Sequence, residues 1–110
     1  MRIMEKLNEY CVGGKEFVLV TVVEATGSSP ARSGFKMIVD KNNIFGSVGG
    51  GSLEYLAVDA ARELFGTRKN LLKEFNLSAI GMTCGGTVKL FFEYMPGGKN
   101  FFIFGYRQKY

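Results

Sequence analysis

Residues 17–24 read FVLVTVVE, a β-branched and almost unbroken apolar run, and its reading decides the fold. Such a run is the mark of a strand covered on both faces, because a half-buried strand would alternate apolar with polar. Upstream, Ile3, Leu7, Tyr10 and Cys11 recur at helical spacing, with Lys6 and Glu9 left toward water, and Gly13-Gly14 ends the pattern. Downstream, Thr26 to Gly34 (TGSSPARSG) has the composition of a loop. Phe35 to Asp40 then alternates as a second strand, Lys41-Asn42-Asn43 turns, and Ile44 to Val48 returns as its hairpin partner.

Gly49, Gly50 and Gly51 lead into the clearest helix of the sequence. Ser52 is placed to cap it, Leu53, Leu56, Ala57, Ala60, Ala61 and Leu64 share one face, and Gly66 stands where a left-handed terminating residue belongs. Leu71 to Leu77 reads as a strand, Ser78 to Gly86 as a second glycine-rich loop, and Thr87 to Met95 (TVKLFFEYM) as a long strand. Pro96-Gly97-Gly98 breaks the chain before a last apolar run, Phe101 to Phe104. No segment repeats. This order of elements predicts one small α+β domain, a mixed β-sheet packed with two helices.

Composition narrows the chemistry. At 110 residues, 46% apolar and 14% aromatic, the chain is long enough for one core. It has no histidine, which excludes imidazole acid–base catalysis, Ser-His and Cys-His pairs and imidazole metal sites. Cys11 and Cys84 form no C-x-x-C pair, so neither a zinc motif nor a disulfide framework is read. No stretch reaches the roughly 18–20 apolar residues of a membrane span, and MRIMEKLNEY lacks a signal-peptide core, so a cytoplasmic protein with no membrane partner is expected. Of the net charge of +4, three units come from Lys99, Arg107 and Lys109. With no basic run interleaved with aromatics, no nucleic-acid partner is expected.

Three constellations remain. In GSVGGGSLE (Gly46 to Glu54), consecutive glycines can aim their amides into one concavity at a helix start, which suits an anion; a flexible strand-to-helix corner would use the same glycines. Gly49-x-Gly51 begins a dinucleotide fingerprint, but Glu54 stands where its third glycine belongs, and the dinucleotide reading fails. In TGSSPAR, the hydroxyls of Thr26, Ser28 and Ser29 and the guanidinium of Arg32 can donate to an anion, although a Ser-Pro turn with a solvated arginine explains them more simply. In GMTCGG, Gly85 and Gly86 beside Cys84 leave its thiol little shielded. It is either a soft ligand, suited to molybdenum–sulfur chemistry or a persulfide, or a small thiol buried in a turn. Cys11, on the apolar helix face, is read as core.

Taken in order, VLVTVVEATGSSPARSGFKMIVD (18–40), IFGSVGGGSLE (44–54) and GMTCGG followed by a strand ending FFEYM resemble the N-terminal domain of the XdhC/CoxI family. These are accessory factors of xanthine dehydrogenase and related molybdenum hydroxylases. The resemblance covers residues 1–96. It implies a non-catalytic chaperone that binds molybdenum cofactor (molybdopterin) transiently, while a terminal sulfur is installed, and delivers it. Its partners would be a cysteine desulfurase and an apo-molybdenum hydroxylase. The family's motifs fall on Ser28, Ser29 and Pro30, on Gly49, Gly50, Gly51 and Glu54, and on Cys84, Gly85 and Gly86. With Arg32, the serines and glycines among these are the candidate cofactor-binding residues, and Cys84 is the candidate ligand to molybdenum. The triglycine turn and the Cys84 thiol are expected to face one cavity.

The chain departs from the family pattern at Ser52, often cysteine, and at Asn76, where aspartate is usual. Residues 97–110 resemble the first strand of a Rossmann-like second domain, through FFIFG (101–105), without its glycine fingerprint. An apolar strand of this kind predicts a homodimer or strand exchange. Two alternatives stand beside the chaperone: a dimeric interaction or regulatory domain without cofactor, and a small enzyme using Cys84 as nucleophile, which the absence of histidine disfavours.

Overall fold

The computed structural model describes residues 2–98. Its elements are α1 (Ile3–Val12), β1 (Phe17–Thr26), β2 (Lys36–Val39), β3 (Ile44–Gly46), α2 (Gly51–Thr67), β4 (Leu71–Asn76) and β5 (Thr87–Met95). The five strands form one sheet in the order β3-β2-β1-β5-β4. The run that opened the sequence is its central strand: β1 pairs β2 from Val18↔Val39 to Thr21↔Lys36, and β5 from Phe17↔Met95 to Thr26↔Thr87, with a bulge between Val22 and Glu24.

Both faces of β1 are covered, as its unbroken apolar pattern requires. Val18, Val20 and Val22 join Met37, Val39, Val88, Leu90 and Phe92 beneath Leu53, Ala57, Ala61 and Leu64 of α2. Phe17 and Leu19 join Ile38 beneath Leu7, Tyr10 and Cys11 of α1. Burying each of the fully enclosed β1 valines contributes about 1.5–3 kcal/mol. The second core is stitched at its rim, where the Tyr10 hydroxyl donates to Asp40. Asp40 Oδ1 also accepts from the amides of Asn42 (2.7 Å) and Asn43 (2.6 Å), closing the β2–β3 turn.

The α+β class with two helices matches expectation, but the sheet is antiparallel throughout and not mixed. β1, β3 and β4 run one way and β2 and β5 the other. The helical crossover α2 does join two strands of like direction, β3 and β4. They lie at opposite edges of the sheet, so no parallel pair forms.

Two helix boundaries also differ from the sequence reading. α2 starts one residue before Ser52, from a Gly50 N-cap, and it has no side-chain cap there. It ends past Gly66, on Arg68 in the left-handed region (φ 59°), whose amide donates to the Leu64 carbonyl. The Arg68 guanidinium also donates to the Tyr94 hydroxyl (3.1 Å), which fixes this terminus at a non-glycine residue. The Phe101–Phe104 run and the tail around it lie outside the described residues. Among the described residues, no helix is long and apolar enough to cross a membrane.

Candidate functional site

Strand direction gathers the three glycine-rich loops at one end of the sheet. β1, β3 and β4 end there and β2 and β5 begin there, so loops 27–35, 47–50 and 77–86 emerge side by side. They are also tied to one another. The Gly85 amide donates to Ser28 Oγ (3.0 Å), and Thr26 Oγ1 lies 2.7 Å from Thr87 Oγ1. A Cβ on Gly49 would sit 3.2 Å from Cβ of Ala31, and one on Gly51 would sit 3.3 Å from Cε of Met82. The first loop thus touches both of the others, and the third reaches the helix start through Met82.

The closest approach is between Gly27 and Gly86. A Cβ on Gly86 (φ +102°) would fall 2.0 Å from the Thr26 carbonyl oxygen, and one on Gly27 (φ +76°) 2.6 Å from Cα of Gly86. Backbone crosses backbone here with no room for a side chain, which is the physical reason for glycine at both positions.

Ser29 is buried and its Oγ accepts from the Ala31 amide (2.9 Å), so it holds the Ser-Pro turn and does not reach outward. Ser28 is exposed and joins the first loop to the CGG loop. Arg32 is exposed, but its Nη1 is taken by the carbonyls of Ser29 (2.6 Å) and Ala31 (3.0 Å), so it braces its own loop. Cys84 is half-buried and packs at the margin of the α2-side core. Cys11 is buried among α1-side residues, and burial pushes its thiol up to about 11, which suits the core role read from the sequence.

The triglycine turn holds a feature that reading by motif missed. Glu54 Oε1 accepts from the amides of Val48 (3.3 Å) and Gly50 (3.1 Å) and from the Ser47 hydroxyl. Ser47 Oγ in turn accepts from the Gly49 amide (3.0 Å). The concavity does bind an oxyanion, and that oxyanion is the protein's own carboxylate. An acidic residue in the first turn of a helix was the available signal, since it complements the positive helix end. By motif alone, Glu54 speaks only against a dinucleotide fingerprint.

Among the described residues, no three His, Cys, Asp or Glu side chains are grouped to hold a metal ion. A lone thiol ligating a metal already bound by its own cofactor needs no such group. At the CGG loop the soft donor on offer is the one half-buried thiol of Cys84. At the triglycine turn an outside phosphate fits only if Glu54 swings out of it.

The family model for XdhC and CoxI matches residues 12–76, more than half of the chain. The chain belongs to the XdhC and CoxI family. Among solved structures, a Bacillus halodurans protein described as a xanthine dehydrogenase is similar over 86% of this chain, with a TM-score of 0.75 and 22% identity. That likeness is one of fold. The chain spans 30% of the length of that protein. No functionally curated protein matches. The matched range takes in the SSP loop and the triglycine turn; the CGG loop lies beyond it.

Proposed function

We propose that this XdhC/CoxI-family protein binds molybdenum cofactor in the cytoplasm and serves the maturation of a xanthine dehydrogenase-type molybdenum hydroxylase. The observation that carries the reading is the convergence of the SSP, triglycine and CGG loops at one end of the sheet, joined by Ser28–Gly85 and by Met82 against Gly51. Cys84, with Gly85 and Gly86 beside it, would hold the metal end. Gly49, Gly50 and Gly51, with Ser28, would hold the phosphate end once Glu54 leaves. The bound cofactor would supply a molybdenum–dithiolene centre; the protein's own residues orient it and offer a thiolate. The partners in this reading are an apo-hydroxylase and a cysteine desulfurase.

Anaerobic mixing with molybdenum cofactor, followed by pterin fluorescence of the retained fraction, tests binding. Retention by the wild type with loss in Cys84→Ser supports the assignment. Equal retention and transfer by Cys84→Ser removes the thiol from the mechanism. The filled triglycine turn gives the interaction-domain alternative its own support. Capture of an apo-hydroxylase by a protein that retains no cofactor would favour that alternative.

A further inference from the structure

The β1–β5 ladder leads directly to the thiol of the third loop. Its last pair is Thr26↔Thr87, backed by the two hydroxyls at 2.7 Å. One residue further along each chain, Gly27 and Gly86 cross with no room for a side chain. At the next position a side chain takes over: the Gly85 amide donates to Ser28 Oγ (3.0 Å), across 57 positions of chain. The amide so held belongs to the Cys84–Gly85 peptide, the bond by which the chain leaves the half-buried cysteine. On the other side of Cys84, the Met82 amide donates to the Leu77 carbonyl (3.0 Å), and Met82 Cε lies against Gly51. Cys84 therefore rides a short span fixed at both ends, and Ser28 supplies the tie nearer to the thiol.

We propose that Ser28 is a positioning residue for Cys84: its oxygen holds the peptide that follows the thiol, and so sets how far the thiol opens to solvent and to a ligand. The two neighbouring serines differ in this respect. Ser29 is buried and its Oγ accepts within its own turn, whereas Ser28 is exposed and reaches across to the third loop. A hydroxyl carries two lone pairs and one proton, so accepting from Gly85 leaves the Ser28 proton uncommitted by that bond. In the cofactor-binding reading above, on which the purpose of this tie rests, the thiol is presented to the metal end while the Ser28 proton remains for the phosphate. The tie itself is a matter of geometry and holds without a cofactor.

Alkylation of the two thiols in the native chain tests it, with Cys11 as the internal reference. Ser28→Ala should speed iodoacetamide labelling of Cys84 about three- to tenfold, the change in open population that loss of one neutral hydrogen bond allows. Cys11, buried in the other core, should keep its wild-type protection. Ser28→Thr, which retains the oxygen, should label as the wild type does. An unchanged Cys84 rate, equal acceleration of both thiols, or failure of threonine to restore the rate would each overturn the proposal. Cofactor retention is then compared in Ser28→Ala, Cys84→Ser and the double variant. A residue that acts through the thiol matters less once the thiol is gone, so the double variant should lose less than the product of the two single losses. Independent losses would overturn the positioning role. A wild type that retains no cofactor, with labelling as expected, would sink the cofactor reading and leave the tie between Ser28 and Cys84 standing.

Discussion

Glu54 Oε1 lies 3.1 Å from the amide nitrogen of Gly50, so the carboxylate of the first helical turn reaches back to occupy the anion cradle in front of it. It satisfies the amides of Val48 and Gly50 in the turn just ahead of α2, while the helix itself has no side-chain cap. The same contact turns an apparent ligand site into one whose occupant must be displaced.

Glu54→Ala should therefore have two opposite effects. Loss of the charge-assisted bonds should cost about 1.5–3 kcal/mol. For a domain of this size, each 1 kcal/mol lowers Tm by about 4–8 °C. The emptied cradle should then bind inorganic phosphate, so that phosphate raises the Tm of the variant more than that of the wild type. Equal phosphate shifts in a thermal melt would show that Glu54 is not what keeps the anion out.

Gly86, at the backbone crossing with Gly27, and Gly66, open on α2, should respond to alanine with opposite signs. Gly86→Ala places a Cβ 2.0 Å from the Thr26 carbonyl oxygen at φ +102° and should cost more than about 3 kcal/mol. Gly66→Ala, inside α2 with open space around it, should stabilise by about 0.5–1 kcal/mol. Urea midpoints of the two variants measure both.

The thiols should react unequally. Burial holds the Cys11 pKa up at about 11, whereas Cys84 is half-exposed in its loop. Iodoacetamide at neutral pH should alkylate one thiol per native chain, with mass mapping to Cys84, and two per chain in denaturant. Labelling of native Cys11 at the rate of Cys84 would contradict the packing of α1 on the sheet.

Acid should weaken the α1-side core through Asp40. Burial acts to raise its pKa, but the hydrogen bonds from Tyr10, Asn42 and Asn43 outweigh it and hold the carboxyl below its ordinary value. A depressed native pKa means that the stabilisation is present above the unfolded value of about 3.9 and is lost as pH falls through the native one. Asp40→Asn should be less stable than wild type at neutral pH, and the gap should shrink below about pH 4. Chemical denaturation across that range measures the difference.

Elements whose cause is local were legible in the sequence. Thr87–Met95 was bounded correctly because its alternation and its flanking glycines are local signals. β1 was placed as a strand covered on both faces because an unbroken apolar run leaves few other solutions. The α2 boundaries were misread because Ser52 and Gly66 are good terminal residues by type. The actual ends depend on Glu54 folding back and on Arg68 meeting Tyr94, 26 positions later. At the site, residue type marked the right loops but not the use of each group. Ser29 Oγ and Arg32 Nη1 are bonded within their own turn, which only the folded loop shows.

The sheet's centre has a consequence for synthesis. β1 gains its second neighbour only when β5 arrives, and the pairing Phe17↔Met95 joins positions 78 residues apart. A ribosome must therefore release nearly a hundred residues before the middle of the protein can close. Until then FVLVTVVE travels with an open flank, so a holding chaperone or a slowed translation rate should matter more for the yield of this small domain than its size suggests.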